Sequence, residues 1–350
     1  AGGTPGEAGE APASALSEIP LGEVPPVRFA AYAVSKGAEG AISEGTQKQM
    51  SYCLLSARRL HPQPNFRAII LTDTKTQIPI LEALGEWVEL RRYDVPPPPQ
   101  RGAFMLQRME LEARYLLEMG AEQQPPNVAF VDTDLLFVRP LKQMWEDTFE
   151  VALTMRPHNN DPINLGLKMV HREHLAKGAA LWGAVVKEMK DKYGETGEKL
   201  CFWCDQKSFT KVVTGRMNPK IGRRTWRNQI KEAQEFTLTA DVEPEGGPAV
   251  SLAIKLLTCL EYNSIPGGKA TRGCLPQHGF TRVVHFKGSL KGTMLPFWEA
   301  VQTEDSAKMQ ELVGAASDDA AAFKAKEKAR RSEIHAKRRA AQQEKKEGGG

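Results

Sequence analysis

The first third of the chain alternates between short apolar runs and a stretch with helical periodicity. Val27 to Val34 and Phe66 to Thr72 are the apolar runs, and Gln47 to Leu60 between them has helical spacing. This order predicts a βαβ unit with parallel strands. Ligands of such sheets bind beyond the carboxyl ends of the strands, where Ser35 and Asp73 are placed. The pattern therefore predicts an α/β fold with a ligand site at that edge.

The same patterning predicts further elements along the chain. Strands are expected at Trp87–Leu90, Val128–Arg139, Val151–Met155, Ile163–Val170, Leu252–Leu260 and Thr281–Phe286, and helices at Gly102–Met119 and His174–Lys192. Lys211 to Pro248 is charged and lacks apolar periodicity, which predicts a surface excursion. Lys287 to Gly292 predicts a flexible basic loop.

Two carboxylates interrupt the strand predicted at Val128–Arg139. Asp132 and Asp134 have apolar residues on both sides, and burying two like charges without a cation is costly. In an extended chain residues i and i+2 face the same way, so both carboxylates point to one site. Hard oxygen donors with open positions suit Mg²⁺ or Mn²⁺ shared with nucleotide phosphates. The alternative interpretation of this D-x-D triplet is an ordinary acidic strand end or turn.

Charge is distributed unevenly along the sequence. The net charge is +4, but residues 324–347 hold ten Lys/Arg and four Glu, which leaves the rest of the chain near −2. This balance argues against a nucleic-acid-binding surface on the main body. No run of about 18 apolar residues occurs, so we expect no membrane span here, although the start at Ala1 suggests a fragment or a processed chain.

The two ends of the chain differ in composition from its centre. Residues 1–26 are rich in Gly, Ala, Pro and Glu, which predicts a disordered stem or linker. Residues 303–350 predict a charged helical or disordered tail with too few apolar residues to pack, so we expect it to be dispensable for the activity of the domain before it. Residues 27–302 remain as a single domain.

Five cysteines make a fully paired disulfide framework impossible within one chain. Cys201 and Cys204 form one C-x-x-C, for which half a zinc site, a redox pair and packed or disulfide-bonded thiols are the interpretations. The absence of a second C-x-x-C favours the last. Cys259 and Cys274 are the candidate pair for another bridge in an oxidising compartment.

A basic glycine-containing segment follows the last predicted strand. Gly288 and Gly292 leave backbone N–H groups free to face an anion, and Lys287 and Lys291 add positive charge. Such segments are most often solvated turns. His285, just before it, favours a functional interpretation.

Five motifs occur in one order: VAFVDTDLLFV, INLGLKMV, CDQKSF, LEYN and VVHFKGSLK. Together they resemble the nucleotide-sugar-dependent glycosyltransferases of the GT-A fold, in particular the retaining group that includes glycogenin and the bacterial lipopolysaccharide galactosyltransferases. The resemblance covers about Val27 to Trp298. It implies a Rossmann-like, mixed and mostly parallel sheet flanked by helices in a single catalytic domain.

The resemblance assigns a metal and diphosphate site. Asp132 and Asp134 match the family's D-x-D, and His285 matches the histidine of its H-x-x-G-x-x-K, which implies three ligands for Mn²⁺ or Mg²⁺. Gly288 and Lys291 match the residues of that motif that hold the donor phosphates. The family's usual Lys-Pro-Trp is absent after Lys291.

The resemblance also assigns contacts to the sugar. Asn164 and Gly166 match the N-x-G whose asparagine contacts the donor sugar, and Asp205 and Gln206 match a catalytic pair beside the anomeric carbon. Arg108 lies on a helix where the family has a basic residue near the donor.

The expected function is metal-dependent transfer of a sugar from a UDP-sugar to a glycan, protein or lipid acceptor, with retention. The expected compartment is the Golgi or secretory lumen, or else the cytoplasm, and membrane attachment would need a segment missing from this chain. A HAD-type phosphatase is disfavoured by Leu136, where that class has Thr or Val. The sequence is also compatible with a nucleotidyltransferase of similar fold and with a catalytically silent protein that binds nucleotide sugars or glycans.

Overall fold

The structure is a computed structural model of the whole chain. It describes residues 26–35, 40–61, 66–98, 101–141, 145, 149–155, 163–195, 204–214, 235–243, 248–266, 281–305, 307–312 and 314–315. The predicted stem except Pro26, and the predicted tail after residue 315, lie outside the described residues.

The described residues form the following strands and helices. The strands are β1 (Val27–Tyr32), β2 (Phe66–Asp73), β3 (Val88–Tyr93), β4 (Asn127–Val131), β5 (Leu135–Phe137), β6 (Val151–Met155), β7 (Ile163–Val170), β8 (Phe236–Val242), β9 (Val250–Leu257) and β10 (Val283–His285). The helices are α1 (Glu44–Leu60), α2 (Pro79–Glu82), α3 (Arg101–Gly120), α4 (Leu175–Tyr193), α5 (Cys204–Thr214), α6 (Cys259–Tyr262) and α7 (Met294–Gln302), with 3₁₀ helices at Arg172–His174 and Gly288–Thr293.

Eight of the described strands form one sheet in the order β3-β2-β1-β4-β7-β6-β9-β8. β3, β2, β1 and β4 are parallel neighbours, and β6 and β9 are parallel to each other. β7 runs antiparallel to both β4 and β6, and β8 runs antiparallel to β9. The predicted βαβ start and the mixed, mostly parallel sheet are therefore confirmed.

Helices cover both faces of this sheet, because its central strands are apolar on both sides. In β4, Ala129 and Val131 pack in the core that contains residues of α1 and α7, whereas Val128 and Phe130 pack in the core beneath α3 and α4. Every residue of β4 is buried. Because β4 is parallel to β1, its carboxyl end lies on the same side of the sheet as the carboxyl ends of β1 and β2.

Two sequence predictions about strands are wrong. The strand expected at Val128–Arg139 is split, because Thr133 and Asp134 form a turn and β5 pairs with β10 in a separate two-stranded sheet. The expected surface excursion contains β8 at the edge of the main sheet. β8 reads FTLTADV, and its alternation of apolar with hydroxyl and acidic residues suits an edge strand with one solvated face.

Two predictions near the C-terminal end also need correction. The segment expected to be a flexible basic loop is a 3₁₀ helix at Gly288–Thr293, in which Leu290 is buried. Beyond the predicted boundary at residue 303, Met309 is only 4% exposed and packs in the core beside α1 and α7. Part of the predicted tail therefore belongs to the folded domain.

Candidate functional site

Three segments of the chain converge at the carboxyl end of β4. The backbone N–H of Asp132 donates to the carbonyl of Gly166 on β7 at 2.7 Å. β5 begins one residue after Asp134 and pairs antiparallel with β10, so that His285 lies opposite Leu135. Strand pairing thus brings a histidine about 150 residues downstream of the two aspartates beside them.

The facing atoms of these side chains are close together. The His285 Nε2 atom lies 3.2 Å from Oδ1 of Asp134 and 3.9 Å from Oδ2 of Asp132. The other ring nitrogen, Nδ1, lies 2.6 Å from the side-chain oxygen of Asn263. Because an amide oxygen only accepts hydrogen bonds, this contact places a proton on Nδ1 and directs Nε2 toward the carboxylates.

The geometry of this cluster fits a divalent metal ion. One donor atom from each of Asp132, Asp134 and His285 lies within 4.8 Å of the other two. A Cβ atom on Gly166 would come within 2.9 Å of the Asn164 side-chain oxygen and of the His285 ring, so glycine leaves room at this position. Two carboxylates and one imidazole suit Mn²⁺, with Mg²⁺ as an oxygen-preferring alternative.

Basic residues neutralise both carboxylates in the structure. Nη1 of Arg108 lies 2.7 Å from Oδ1 of Asp132, and Nζ of Lys291 lies 2.9 Å from Oδ2 of Asp134. Burial raises the pKa of Asp134, but attraction to His285 and Lys291 outweighs burial and holds the pKa well below its ordinary value. Asp134 is therefore ionised at neutral pH, as a metal ligand must be.

A buried ion-pair network supports Arg108 from below. The Glu112 carboxylate accepts hydrogen bonds from Nε of Arg108 at 2.8 Å, from Nζ of Lys168 at 2.8 Å and from the indole N–H of Trp182 at 2.7 Å. Burial and the charge of Arg108 lower the pKa of Lys168 to about 8. Sequence patterns did not predict this network, although a lysine inside the apolar strand INLGLKMV was a visible signal.

Asp205 and Gln206 lie in the first turn of α5, near the same site. Asp205 is buried, and its carboxylate accepts a hydrogen bond from the backbone N–H of Gln206 at 2.8 Å. Burial raises the pKa of Asp205, while the nearby Arg108 charge opposes that shift. Oε1 of Gln206 and Nη2 of Arg108 are buried atoms without a hydrogen-bond partner among the described residues. Both atoms therefore have unsatisfied hydrogen-bonding capacity beside this site.

Asn164 and Gly288, two of the other residues predicted to contact the donor, lie in different local structures. Asn164 is buried on β7, and its side-chain oxygen accepts from the N–H of Gly166 at 2.9 Å. Gly288 has a positive φ of 59° at the start of the 3₁₀ helix that carries Lys291.

Ser35 lies just beyond the end of β1 and Asp73 is the last residue of β2, at the sheet edge where the sequence places them. Oδ1 of Asp73 accepts from the backbone N–H groups of Lys75 at 2.8 Å and Thr76 at 2.6 Å, and the Ser35 hydroxyl donates to the carbonyl of Ala41 at 3.0 Å. These contacts hold the local loops in place.

The cysteines differ in part from the predicted pairing. Cys204 is disulfide-bonded, and Cys53 and Cys259 are free and buried, so the partner of Cys204 lies outside the described residues. The predicted bridge between Cys259 and Cys274 is wrong, because the Cys259 thiol is packed at the start of α6. Among the described helices, none is long and apolar enough to cross a membrane.

Comparisons with known proteins identify similar structures only. No family model matches the chain, and no curated protein matches it by sequence. One similar solved structure is the galactosyltransferase LgtC in complex with donor and acceptor sugar analogues, at 11% identity over 82% of this chain and 95% of that chain, with a TM-score of 0.42. Another is a glycosyltransferase involved in glycosylation of the major capsid of PBCV-1, at 12% identity over 79% and 100% of the two chains, with a TM-score of 0.40.

Proposed function

We propose that this chain is a metal-dependent glycosyltransferase that moves a sugar from a UDP-sugar to an acceptor hydroxyl with retention. The observation that carries the proposal is the convergence of Asp132, Asp134 and His285 from separate segments. The arrangement combines a divalent-ion site with basic residues for a diphosphate. Its position beyond the carboxyl end of β4 is where α/β sheets bind nucleotides.

The basic residues beside this cluster support binding of a diphosphate. Lys291 is partly exposed and sits on a turn that opens with Gly288 at positive φ. Arg108 keeps Nη2 without a protein partner among the described residues, while its other nitrogens hold Asp132 and Glu112. The chemistry that Mn²⁺ or Mg²⁺ supplies at such a site is neutralisation of the charge developing on the leaving diphosphate.

The proposed role of Asp205 and Gln206 is at the other end of the breaking bond. As the bond from sugar to phosphate breaks, positive charge develops on the anomeric carbon. The buried Asp205 carboxylate and the unpartnered Oε1 of Gln206 are oxygen groups that stabilise such charge. Asn164 and Gly166 lie beside the His285 ring, where we place the donor sugar.

The donor, the acceptor class and the compartment complete the proposal. We infer a UDP-sugar as donor and a hydroxyl of a glycan, protein or lipid as acceptor, from the resemblance of the five motifs to GT-A glycosyltransferases. The disulfide bond at Cys204 supports an oxidising compartment, such as the Golgi or secretory lumen.

Hydrolysis of a panel of UDP-sugars with Mn²⁺, with Mg²⁺ and with EDTA tests this function. We expect slow release of UDP from one or a few sugars, only when a divalent ion is present. Calorimetry of UDP binding with and without EDTA separates a silent binding protein, which binds but does not turn over. Analysis of the product anomer by NMR tests retention, and an inverted product would contradict that part.

Asp205→Asn tests the role at the anomeric carbon. Because the contact strengthens as positive charge develops, we expect kcat to fall by about 10²-fold or more, with KM changed by less than about threefold. Asp241→Asn, which changes an exposed aspartate on β8, is the matched control and should leave both constants unchanged. A higher KM with an unaltered kcat would make Asp205 a ground-state binding residue instead.

A further inference from the structure

A second cluster of residues of the types that bind metal ions lies at the opposite end of strands β4 and β7 from the D-x-D site. β7 runs antiparallel to β4, so Val170 at its end pairs with Val128 near the start of β4. Asp132 follows the other end of β4. His171, Glu173 and His174 come directly after Val170 and therefore lie a full strand length from the D-x-D site.

We propose that His171, Glu173 and His174 form a binding site for a transition-metal ion of the Zn²⁺ type. One donor atom from each of the three side chains lies within 4.8 Å of the other two. Tetrahedral Zn²⁺ holds such donors about 3.3 Å apart, so modest side-chain rotations close the site. Two imidazoles and one carboxylate leave a fourth position for water.

The backbone of this segment holds the three side chains on one turn. The N–H of His174 donates to the carbonyl of His171 at 2.9 Å, which closes the 3₁₀ turn. The N–H of His171 donates to the carbonyl of Glu150 at 3.1 Å, which fixes the turn to the residue before β6. The His171 ring also meets Phe149 edge-on, with centroids 6.0 Å apart. The histidines are thus presented from a fixed backbone.

A carboxylate lies behind one of the histidines. Oε1 of Glu150 lies 3.7 Å from Nδ1 of His174, and the other oxygen of Glu150 accepts from the backbone N–H of Ala253 at 2.6 Å. Lys177 also bonds Glu150. This separation is longer than a hydrogen bond, but a carboxylate on that side of the ring attracts a proton on Nδ1 and leaves the Nε2 lone pair for a metal.

The two clusters are suited to different ions. The D-x-D cluster has carboxylates as the majority of its donors, whereas nitrogen donors are the majority in the cluster of His171, Glu173 and His174. Imidazole donors favour Zn²⁺ over Mg²⁺ and Mn²⁺. An ion here would brace the turn between β7 and α4, far from the proposed chemistry.

Titration with ZnCl₂ tests the proposal in a variant of the full chain in which Asp132→Asn and Asp134→Asn have removed the carboxylates of the D-x-D cluster. Calorimetry of this variant is expected to detect Zn²⁺ binding. Adding His171→Ala and His174→Ala should weaken that binding at least tenfold, and Glu173→Gln alone should weaken it less. Arg172→Ala, which changes a residue between the two histidines that offers no metal ligand, is the matched control and should leave the affinity unchanged.

Histidine NMR spectra of the wild-type chain give a readout that needs no variant. Zn²⁺ added in the presence of excess Mg²⁺ should shift the imidazole signals of His171 and His174 before that of His285. Zn²⁺ binding that is equally strong without the two histidines, or no shift of their signals, would overturn the proposal. If the double alanine variant fails to fold, His174→Gln replaces it, because this position is partly exposed. That variant should bind Zn²⁺ more weakly, and an unchanged affinity would overturn the proposal.

Discussion

Replacing both Asp132 and Asp134 by asparagine is expected to lower sugar transfer by about 10³-fold or more. Both carboxylates face one point together with His285, and amides do not replace the charge that holds a divalent ion there. The same variant should lose Mn²⁺-dependent UDP binding, measured by calorimetry. Asp241→Asn, on the edge strand β8, is the matched control and should retain both properties.

The ion pairs of these aspartates decide how the variant behaves as a folded protein. From the sequence, two buried like charges are expected to destabilise the metal-free strand end, so that removing them is expected to leave the fold intact. In the structure Asp132 is paired with Arg108, and Asp134 with Lys291 and His285. We therefore expect a modest loss of stability, and circular dichroism must show a native fold before activity is interpreted. UDP binding that survives in the folded variant would contradict the metal site.

The sequence alone singled out Asp132 and Asp134, but it did not show that His285 lies beside them. Asp132 and Asp134 stand out because charge interrupts an apolar run, which is a local signal. The approach of His285 depends on the pairing of β5 with β10, and neither three-residue strand has a periodicity that fixes its register. Only the resemblance to a family joined these segments before the structure did.

The buried ion-pair network around Arg108 shows why the sequence did not identify its other members. Arg108 and Glu112 are four residues apart on a helix, a spacing that is typical of exposed ion pairs. What buries this pair is Lys168, 56 positions away on β7, together with Trp182 on α4. No pattern within one element reports a contact between three elements.

Glu112→Gln is expected to destabilise the protein by about 3–5 kcal/mol at neutral pH. The substitution keeps the side-chain volume but removes the negative charge that two buried cations share, Arg108 and Lys168. Urea unfolding followed by circular dichroism measures the loss. Glu110→Gln is the matched control: Glu110 lies on the same helix and pairs with Lys190 of α4, but it is 40% exposed, so its loss should cost less than about 1 kcal/mol.

Repeating the unfolding at pH 6.5 and pH 9.5 separates lost charge pairing from lost packing. Lys168 has a folded-state pKa of about 8, below the unfolded value of about 10.4, and losing Glu112 lowers the folded value further. Between these values the unfolded chain binds more protons than the folded chain, so stability rises with pH. This pH range is wider in the variant. The difference in unfolding free energy between the wild type and the variant should therefore be smaller at pH 9.5 than at pH 6.5. A gap of equal size at both pH values would mean that Glu112 acts through packing and not as the counter-charge of Lys168.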